Sequence, residues 1–500
     1  MSRTEKSAEA VVAESQPARA ARSDGVGSLR RGEGPNERKG GTPANLAGAR
    51  RQKPRQLGLP LEARGEAPQG RRSGEASTAA NGNGRSGTGR LMEEVVERAN
   101  ARKALKRVRQ NKGSPGSDGM TVAELPAYLA QHWMELRAQL LAGTYQPAPV
   151  RRQAIPKADG GVRELGIPTA LDRFVQQAIL QVLQPRFDPT FSQHSHGFRP
   201  GRRAHDAVRA AQQYIQDGRR WVVDVDLEKF FDRVNHDVLM GRLAKRVKDQ
   251  RLLGLIRRYL EAGIMAHGVV VERHEGTPQG GPLSPILANV LLDEVDQELE
   301  KRGHAFARYA DDCNVYVRSR RAGERVMAAL RRLYARLRLR VNEAKSAVAR
   351  PWSRKFLGYS FWVAPGRVIK RRVAAKTLAA MKDRVRNITA RNGGRSIRQV
   401  VAELRGYLVG WKEYYGLADT PRIFRELDEW IRHRLRVVHL KQWKRGRTTY
   451  RELQARGMTG YKAAVVAANT RRWWRNAGMY LHIALPTTYF DELGVPRLVS

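Results

Sequence analysis

The spacing of apolar residues predicts where the folded part of the chain begins and which elements it contains. Apolar residues take up helical spacing near Leu91, and the segment before it lacks such periodicity. The same spacing predicts further helices at about 171–184, at 204–216, from about Asp237, and at 283–301. Beyond about residue 370 the pattern becomes almost wholly helical and strongly basic.

Alternating or continuous apolar runs predict strands between these helices. Residues 150–165 alternate in the manner of a hairpin, with the turn at 159–161. Residues 220–226 form an apolar run that ends in acids, typical of a buried strand. The segments 306–309 and 313–317 are rich in β-forming residues, and the three residues between them predict a tight turn.

The first 88 residues differ in composition from the rest of the chain. Residues 1–90 contain no Phe, Trp or Tyr and hold 15 of the 46 glycines. Such a segment cannot bury enough apolar surface to offset the entropy lost on folding. We therefore expect a disordered basic extension over residues 1–88. A targeting role is the alternative, which the acidic residues Glu5, Glu9 and Glu14 disfavour.

Net charge narrows the range of partners. The 500 residues carry 92 Lys and Arg against 49 Asp and Glu, a formal net charge of +43 at pH 7. Nucleic acid is the expected partner because a polyanion offsets this charge, and a charged membrane surface is the alternative. No apolar run approaches eighteen residues, which argues against a membrane span. The single cysteine, Cys313, excludes an intrachain disulfide and a zinc site built from several thiolates.

Acidic residues at strand ends are candidates for cation binding in so basic a chain. Asp311 and Asp312 lie in the predicted turn, and Asp226 ends the apolar run before it. If these strands are neighbours, three carboxylates meet at one edge of a sheet. Mg²⁺ prefers such oxygen ligands, and two ions can serve both sides of a phosphoryl transfer. The alternative is that the two adjacent aspartates only form a turn.

Eight sequence blocks place the acidic motif in a wider pattern. They occur in order at residues 111–120, 155–163 with 166–173, 196–200, 226–232, 276–285, 309–312, 339–345 and 356–359. The blocks include Asp226-Leu-Glu-Lys-Phe-Phe-Asp232 and Tyr309-Ala-Asp-Asp312. Single short motifs carry a high risk of chance agreement, whereas eight in order are very specific. The series resembles the reverse transcriptase domain of bacterial group II intron-encoded proteins.

This resemblance implies an α+β multidomain protein with a right-hand polymerase. The fingers and palm would contain an antiparallel sheet, and an α-helical thumb/maturase domain and a small basic C-terminal region would follow. The expected domains are the extension 1–88, fingers 89–200, palm 201–368, thumb/maturase 369–442 and a nucleic-acid-binding region 443–500.

The resemblance also implies that Asp226, Asp311 and Asp312 are catalytic metal ligands for two Mg²⁺ ions. Asp224 is the competing candidate, because alternation at period two puts it on the same strand face as Asp226. Strand geometry alone does not decide whether Asp224 or Asp226 is the metal ligand. The family pattern has its metal aspartate five residues before the aromatic Phe231, which selects Asp226.

Five residues match nucleotide-binding positions of the family. They are Lys157, Arg163, Phe231, Gln279 and Lys345. Cationic side chains flanking the hairpin turn can clamp a triphosphate, while Phe231 would lie under the sugar and exclude a 2′-hydroxyl. The family uses the glutamine near the nascent base pair, and the second lysine matches the position proposed to protonate departing pyrophosphate. Solvated surface charge and a core phenylalanine are the alternatives.

The basic helical remainder resembles the thumb and maturase region of these proteins. Candidate RNA or DNA contacts are Arg434, Arg436, Lys444 and Arg445. Aromatic residues interleaved with Arg and Lys can stack on unpaired bases while the cations neutralise phosphates. Trp411, Tyr414 and Tyr415 have helical spacing, so core packing is the alternative for them.

The expected function is RNA-directed DNA synthesis combined with intron RNA binding for splicing and retrohoming. Expected partners are intron RNA, target and primer DNA, and dNTPs, in the bacterial cytoplasm and with the nucleoid during mobility. With only Cys313 present, the cysteine-stabilised His-Asn-His endonuclease of some relatives is expected to be absent. Two alternatives remain: a retron or CRISPR-associated reverse transcriptase, and a splicing factor with little polymerase activity.

Overall fold

The computed structural model describes most of the chain after residue 88. The described residues are 89–156, 162–266, 269–271, 275–277, 280–391, 393–469 and 472–499. The predicted extension 1–88 and the hairpin turn 159–161 lie outside them. Within these ranges, no helix combines the length and apolarity needed to cross a membrane.

The elements before the central sheet are mainly helical, with one hairpin. In chain order they are α1 (Leu91–Val95), α2 (Arg98–Asn111), α3 (Leu125–Ala142), β1 (Val150–Pro156), β2 (Val162–Ile167), α4 (Ala170–Phe187) and α5 (Ala204–Gln216). The hydroxyl of Thr169 accepts a hydrogen bond from the Asp172 N–H at 3.0 Å and caps α4. The predicted hairpin and both predicted helices are confirmed, and the cap explains why α4 begins at Ala170.

The next elements include the central sheet, its flanking helices, and two short strands, fourth and fifth in the chain, that join the β1–β2 hairpin in a separate sheet. They are β3 (Trp221–Val225), α6 (His236–Ala244), α7 (Gln250–Glu261), β4 (Ile264–Ala266), β5 (Val269–Val271), α8 (Ser284–Lys301), β6 (Ala305–Tyr309), β7 (Asp312–Val317), α9 (Arg320–Arg336) and β8 (Ala347–Ala349). Strands β6, β7, β3 and β8 lie side by side in that order, and each neighbouring pair is antiparallel. The predicted antiparallel sheet is confirmed.

The last third of the chain is helical apart from one hairpin. Its elements are β9 (Tyr359–Val363), β10 (Ile369–Val373), α10 (Ala375–Ile388), α11 (Ile397–Tyr415), α12 (Pro421–Trp443), α13 (Gly446–Gln454), α14 (Gly460–Ala468), α15 (Trp473–Met479), α16 (Leu481–Ala484) and α17 (Thr487–Glu492). The predicted helical character beyond residue 370 is confirmed.

Two hydrophobic clusters cover opposite faces of the central sheet. Val223 and Val315 belong to the first cluster, which extends through the N-terminal helices. Val222 and Tyr316 belong to the second, which contains the helices of the last third. Neighbouring strand residues point to opposite faces, so each strand contributes to both cores. The sheet is thereby held between the two halves of the fold.

Two of the three aromatic residues considered for base stacking belong to the second cluster. Trp411 and Tyr415 are each 7% exposed, and Tyr414 packs against the cluster from a partly buried position. The core interpretation therefore holds for Trp411 and Tyr415. Because helix α11 buries this aromatic face, other side chains would have to stack on the bases of a bound nucleic acid.

Candidate active site

A two-residue turn between β6 and β7 carries the paired aspartates. Tyr309 lies opposite Asp312 in the antiparallel register, so Ala310 and Asp311 form the turn. Ala310 has a φ of 57°, a left-handed conformation that tight hairpins often require. Asp311 is half-buried and Asp312 is exposed. The turn therefore presents both carboxylates at one end of the sheet.

The register of the sheet brings the third predicted aspartate to the same edge. Strand β3 pairs with β7, and Val225 lies opposite Cys313. Continuing this register by one residue sets Asp226 opposite Asp312. The backbone of Asp226 is fixed on its other side, where its carbonyl accepts from the Asn342 N–H at 2.8 Å. Its side chain is 35% exposed, so it remains open to solutes.

The competing carboxylate, Asp224, has a structural partner. Its Oδ2 accepts a hydrogen bond from Arg354 Nε at 2.7 Å. The amide of Asn314, with its nitrogen turned toward Asp224, donates to Oδ1 at 2.9 Å. Burial raises the pKa of Asp224, while the guanidinium of Arg354 opposes part of that effect. Because both oxygens already accept hydrogen bonds, the contacts favour Asp226 over Asp224 as the cation ligand.

Lys345 lies beside the candidate ligands, as the sequence resemblance implies. Its Nζ is 3.8 Å from Asp226 Oδ2, and its side chain is 63% exposed. The block at 339–345 reaches this position because Leu227 and Val341 form an antiparallel bridge next to β3. At this distance the Lys345 ammonium group can reach the same phosphate oxygens as a metal ion bound by Asp226. Its role in protonating a leaving group remains a prediction.

The donor set suits a hard divalent cation without forming a closed cage. Within the described residues, no group of three or more His, Cys, Asp or Glu side chains is close enough to hold a metal ion. Mg²⁺ keeps several waters and is usually held by one or two carboxylates together with substrate phosphates. Paired strand-end carboxylates open to solvent fit that pattern, and the nucleotide would supply the remaining oxygens.

Phe231 is placed beside this edge by a short 3-10 turn, Phe230–Asp232. Phe230 is buried in the first cluster, whereas Phe231 is only partly buried. The Phe231 carbonyl accepts from the Thr277 N–H at 2.7 Å, which joins the turn to the glycine-rich block. The side chain that the resemblance selects is therefore the more accessible of the two. Its contact with a sugar remains a prediction.

Glycines bring three of the sequence blocks into backbone contact. A Cβ on Gly116 would lie 2.5 Å from the Cα of Thr169, and one on Gly280 would lie 2.9 Å from the carbonyl oxygen of Gly166. Side chains cannot be accommodated at such distances, so these positions require glycine. Blocks far apart in the chain thus pack against one another.

Three of the predicted nucleotide contacts fall where side chains are not described. Lys157 and Gln279 lie outside the described residues. Arg163 lies in β2 opposite Ile155, and its side chain is likewise outside the described part of the structure. Their nucleotide contacts remain predictions.

A buried arginine outside the predicted site residues supports the turn between β6 and β7. Arg308 and Asp296 are both 0% exposed, and Arg308 Nε donates to both carboxylate oxygens at 2.8 and 2.9 Å. Arg308 Nη1 donates to the Ala310 carbonyl at 2.8 Å, within the turn itself. A charged residue inside an apolar strand needs a partner, so the segment 305–309 already held a signal for this network.

The block at 196–200 packs directly under the same turn. A Cβ on Gly197 would lie 2.2 Å from the Ala310 nitrogen. The Gly197 carbonyl accepts from Asn289 Nδ2 at 2.9 Å, and Asn289 also accepts from Arg308. Glycine at this position lets the two backbones touch. The block at 196–200 therefore helps to position the turn through this backbone contact.

The four predicted nucleic-acid contacts differ in their surroundings. Lys444 and Arg445 are exposed between α12 and α13. Arg434 is half-buried, and its Nε donates to Thr389 Oγ1 at 2.6 Å. Arg436 Nε donates to the Leu485 carbonyl at 2.9 Å, so this side chain also ties α12 to the C-terminal helices. Their contacts with RNA or DNA remain predictions.

Comparison with known families matches two consecutive parts of the chain. Residues 155–361 match the family described as reverse transcriptase (RNA-dependent DNA polymerase). Residues 378–457 match the group II intron, maturase-specific domain. The first range contains the central sheet with its three aspartates, and the second contains most of helices α10 to α13.

Similar proteins include one from each of two bacteria. The chain is 39% identical to Protein YkfC of Escherichia coli (strain K12) over 219 residues, 43% of this chain and 58% of that protein. It is 40% identical to the group II intron-encoded protein LtrA of Lactococcus lactis subsp. cremoris over 156 residues, 31% of this chain and 26% of that protein. The matched regions thus span little more than half of the first relative and about a quarter of the second.

Solved structures show more distant likeness. A partial Cas6-RT-Cas1–Cas2 complex is 26% identical with a TM-score of 0.33, over 50% of this chain and 42% of that one. Telomerase from Candida albicans is 12% identical with a TM-score of 0.37, over 66% of this chain and 65% of that one. The chain therefore contains a reverse transcriptase domain followed by a group II intron maturase-specific domain, and part of it is similar to the group II intron-encoded protein LtrA.

Proposed function

We propose that this chain is an RNA-directed DNA polymerase that also binds its intron RNA to assist splicing and retrohoming. One observation carries the polymerase part: β3 and β7 are antiparallel neighbours, so Asp226, directly after β3, and Asp312, at the start of β7, come to the same edge of the sheet as the turn that holds Asp311. The family matches support the same assignment. The intron RNA, the DNA target and primer, and dNTPs are the proposed partners.

The three aspartates would hold two Mg²⁺ ions in the polymerase reaction. Bound there, Mg²⁺ would activate the attacking hydroxyl and neutralise charge on the leaving pyrophosphate. Arg308 and Gly197 fix the turn, so the carboxylates of Asp311 and Asp312 are oriented before a nucleotide arrives. Such preorganisation is the main contribution a protein makes to phosphoryl transfer.

The nucleotide-binding residues would act around this centre. Phe231 would lie under the deoxyribose, where its partly exposed ring leaves no room for a 2′-hydroxyl. Lys345 would donate a proton to the departing pyrophosphate from its position 3.8 Å from Asp226. Lys157 and Arg163 would bind the triphosphate, and Gln279 would contact the nascent base pair.

The basic helical part is proposed to bind intron RNA. It includes the range that matches the maturase-specific domain, and Lys444 and Arg445 are exposed within that range. Neutralising several phosphates releases a comparable number of counterions, so RNA affinity should fall steeply as salt concentration rises. We therefore propose that RNA binds a basic surface that does not include the strand-end carboxylates.

Primer extension tests the polymerase proposal directly. The full-length protein is given a DNA primer annealed to an RNA template, Mg²⁺, and either dNTPs or rNTPs. We expect templated extension with dNTPs and little with rNTPs. Absence of extension in this assay, with RNA binding intact, would instead support a splicing factor without polymerase activity.

Gly197→Ala tests how the catalytic turn is held. The added methyl group has no space next to the Ala310 nitrogen, so the turn must shift. A misplacement of about 1 Å at a reacting centre can slow a reaction by about 100-fold. We expect the rate of primer extension to fall on that scale while RNA affinity is kept.

Gly241→Ala is the matched control for this substitution. Gly241 lies in α6, and a Cβ there would meet nothing within 4 Å. Extension by this variant should equal that of the unmodified protein. Full activity of Gly197→Ala would contradict the positioning role of the block at 196–200.

A further inference from the structure

A cavity lies between the maturase helices and the C-terminal helices, away from the strand-end aspartates. Its volume is about 180 Å³, and it is lined by Thr389, Arg391, Arg434, Val437 and Trp474. A cavity of roughly 150 Å³ is large enough to admit a benzene ring. One planar ring of similar size can therefore enter this space.

Two cations at the cavity have no acidic partner in the described part of the chain. Within the described residues, no carboxylate forms an ion pair with Arg391 or Arg434, whereas the nearby Arg386 pairs with Asp383. Burial lowers the pKa of Arg434, and the guanidinium groups of Arg386 and Arg391 lower it further. Like charges gathered at a partly buried site cost free energy unless an anion offsets them.

Aromatic side chains accompany these cations. Trp474 is 52% exposed, and its ring lies with its centroid 4.0 Å from that of His433. The Arg391 guanidinium is 4.5 Å from the centroid of Trp473. The Arg434 guanidinium is 5.5 Å from that of Trp430. The cavity thus combines an accessible indole with cations that are held in place by neighbouring rings.

This combination is the chemistry that recognises an unpaired nucleotide. A base offers a flat face for stacking on an aromatic side chain, and its phosphate accepts hydrogen bonds from guanidinium groups. A duplex would keep its bases stacked on each other and could not fill the cavity. An acidic peptide would match the cations but would leave the exposed indole without a flat partner.

We propose that this cavity binds a single unstacked nucleotide of a nucleic acid, with its base against Trp474 and its phosphate at Arg391 and Arg434. The proposal rests on the nucleic-acid binding in the proposed function but not on the polymerase centre. Unpaired intron RNA and unpaired target DNA share this chemistry. We name the cavity the nucleotide pocket.

A binding assay with the polymerase cleft occupied tests the nucleotide pocket. The full-length protein is first saturated with a dideoxy-terminated primer on an RNA template. A labelled short oligouridylate carrying one 4-thiouridine is then titrated, and in a second arm its thymidylate counterpart carrying 4-thiothymidine. Affinity is read by fluorescence anisotropy, and photocrosslinked residues are mapped by mass spectrometry.

Two variants remove different parts of the nucleotide pocket. Trp474→Ala should weaken oligonucleotide binding by about 5- to 150-fold, the range for stacking one base on one aromatic side chain. Arg391→Glu should also weaken oligonucleotide binding. Because Arg391 is exposed, this substitution should leave the melting temperature of the protein unchanged. Crosslinks should map to the segment 473–474. Stronger binding in the uridylate arm assigns intron RNA as the occupant, stronger thymidylate binding assigns DNA, and equal binding assigns unpaired strands of both kinds.

Controls separate this proposal from the proposed function. Tyr461→Ala removes another exposed aromatic side chain of the C-terminal part, at a residue 77% exposed. Arg320→Glu makes the same charge change at a side chain 69% exposed on α9. Affinity should be unchanged in both, and primer extension should be unchanged in all four variants. Unaltered affinity in Trp474→Ala and Arg391→Glu, or an equal loss in the controls, would overturn the nucleotide pocket while leaving the polymerase proposal intact.

Discussion

Asp311→Ala and Asp312→Ala should each abolish cDNA synthesis. The substitutions remove a candidate Mg²⁺ ligand from the turn between β6 and β7 but take away no cation that could contact RNA. Loss of one preorganised electrostatic group slows reactions by about 100- to 1,000-fold, and loss of a ligand for the reacting phosphate should cost at least that much. The measurement is extension of a DNA primer on an RNA template in Mg²⁺.

RNA affinity provides the control for these two variants. Filter binding with intron RNA should give the same affinity as the unmodified protein, because the basic helical part is unchanged. Substantial extension by either variant would contradict the assignment of the paired aspartates. Parallel loss of RNA binding would show that the substitutions act on the fold and leave the assignment without support.

Arg308→Met should lower the free energy of unfolding by about 3–5 kcal/mol, the cost of removing one partner of a buried ion pair. The loss arises because Asp296, itself 0% exposed, keeps its charge without the guanidinium. The Ala310 carbonyl also loses its donor, so the turn is less firmly held. Urea denaturation followed by fluorescence measures the first effect, and primer extension measures the second.

A double variant separates stability from positioning. Replacing both partners of a buried ion pair with apolar residues is often neutral or stabilising, so Arg308→Met with Asp296→Leu should recover much of the lost stability. Activity should remain low, because the turn still lacks its hydrogen bond from Arg308. Full recovery of extension in the double variant would show that Arg308 contributes only to stability. Arg302→Met, at an exposed ion pair, serves as the control and should change neither property.

The main elements of the candidate site follow from sequence patterns because their determinants are local. Apolar runs that end in acids predict β3 and the β6–β7 hairpin, and the short separation of the last two segments predicts their turn. Antiparallel pairing then fixes which residues lie opposite each other. Asp226, Asp311 and Asp312 therefore reach one edge of the sheet, as the sequence predicts.

Contacts between distant segments could not be predicted in the same way. Arg308 meets Asp296 and Ser195 only because α8 and the segment at 192–197 pack beside β6. Asp224 and Asp226 look equivalent along the sequence, and the tertiary contacts of Asp224 with Arg354 and Asn314 distinguish them. Tertiary packing likewise gives Arg434 and Arg436 different surroundings. Arg434 lines a cavity, whereas Arg436 donates to the Leu485 carbonyl.

The matched pair Asp226→Asn and Asp224→Asn tests the central claim most directly. Asp224 lies within β3 and Asp226 directly follows it, and each substitution removes one carboxylate charge. Primer extension is measured for each with an RNA template, dNTPs and Mg²⁺, alongside the unmodified protein. The account predicts that Asp226→Asn loses extension, because this carboxylate lies opposite Asp312. Asp224→Asn should retain most of it, because Arg354 already occupies that carboxylate. Extension by Asp226→Asn at the rate of the unmodified protein, or selective loss in Asp224→Asn, would contradict it.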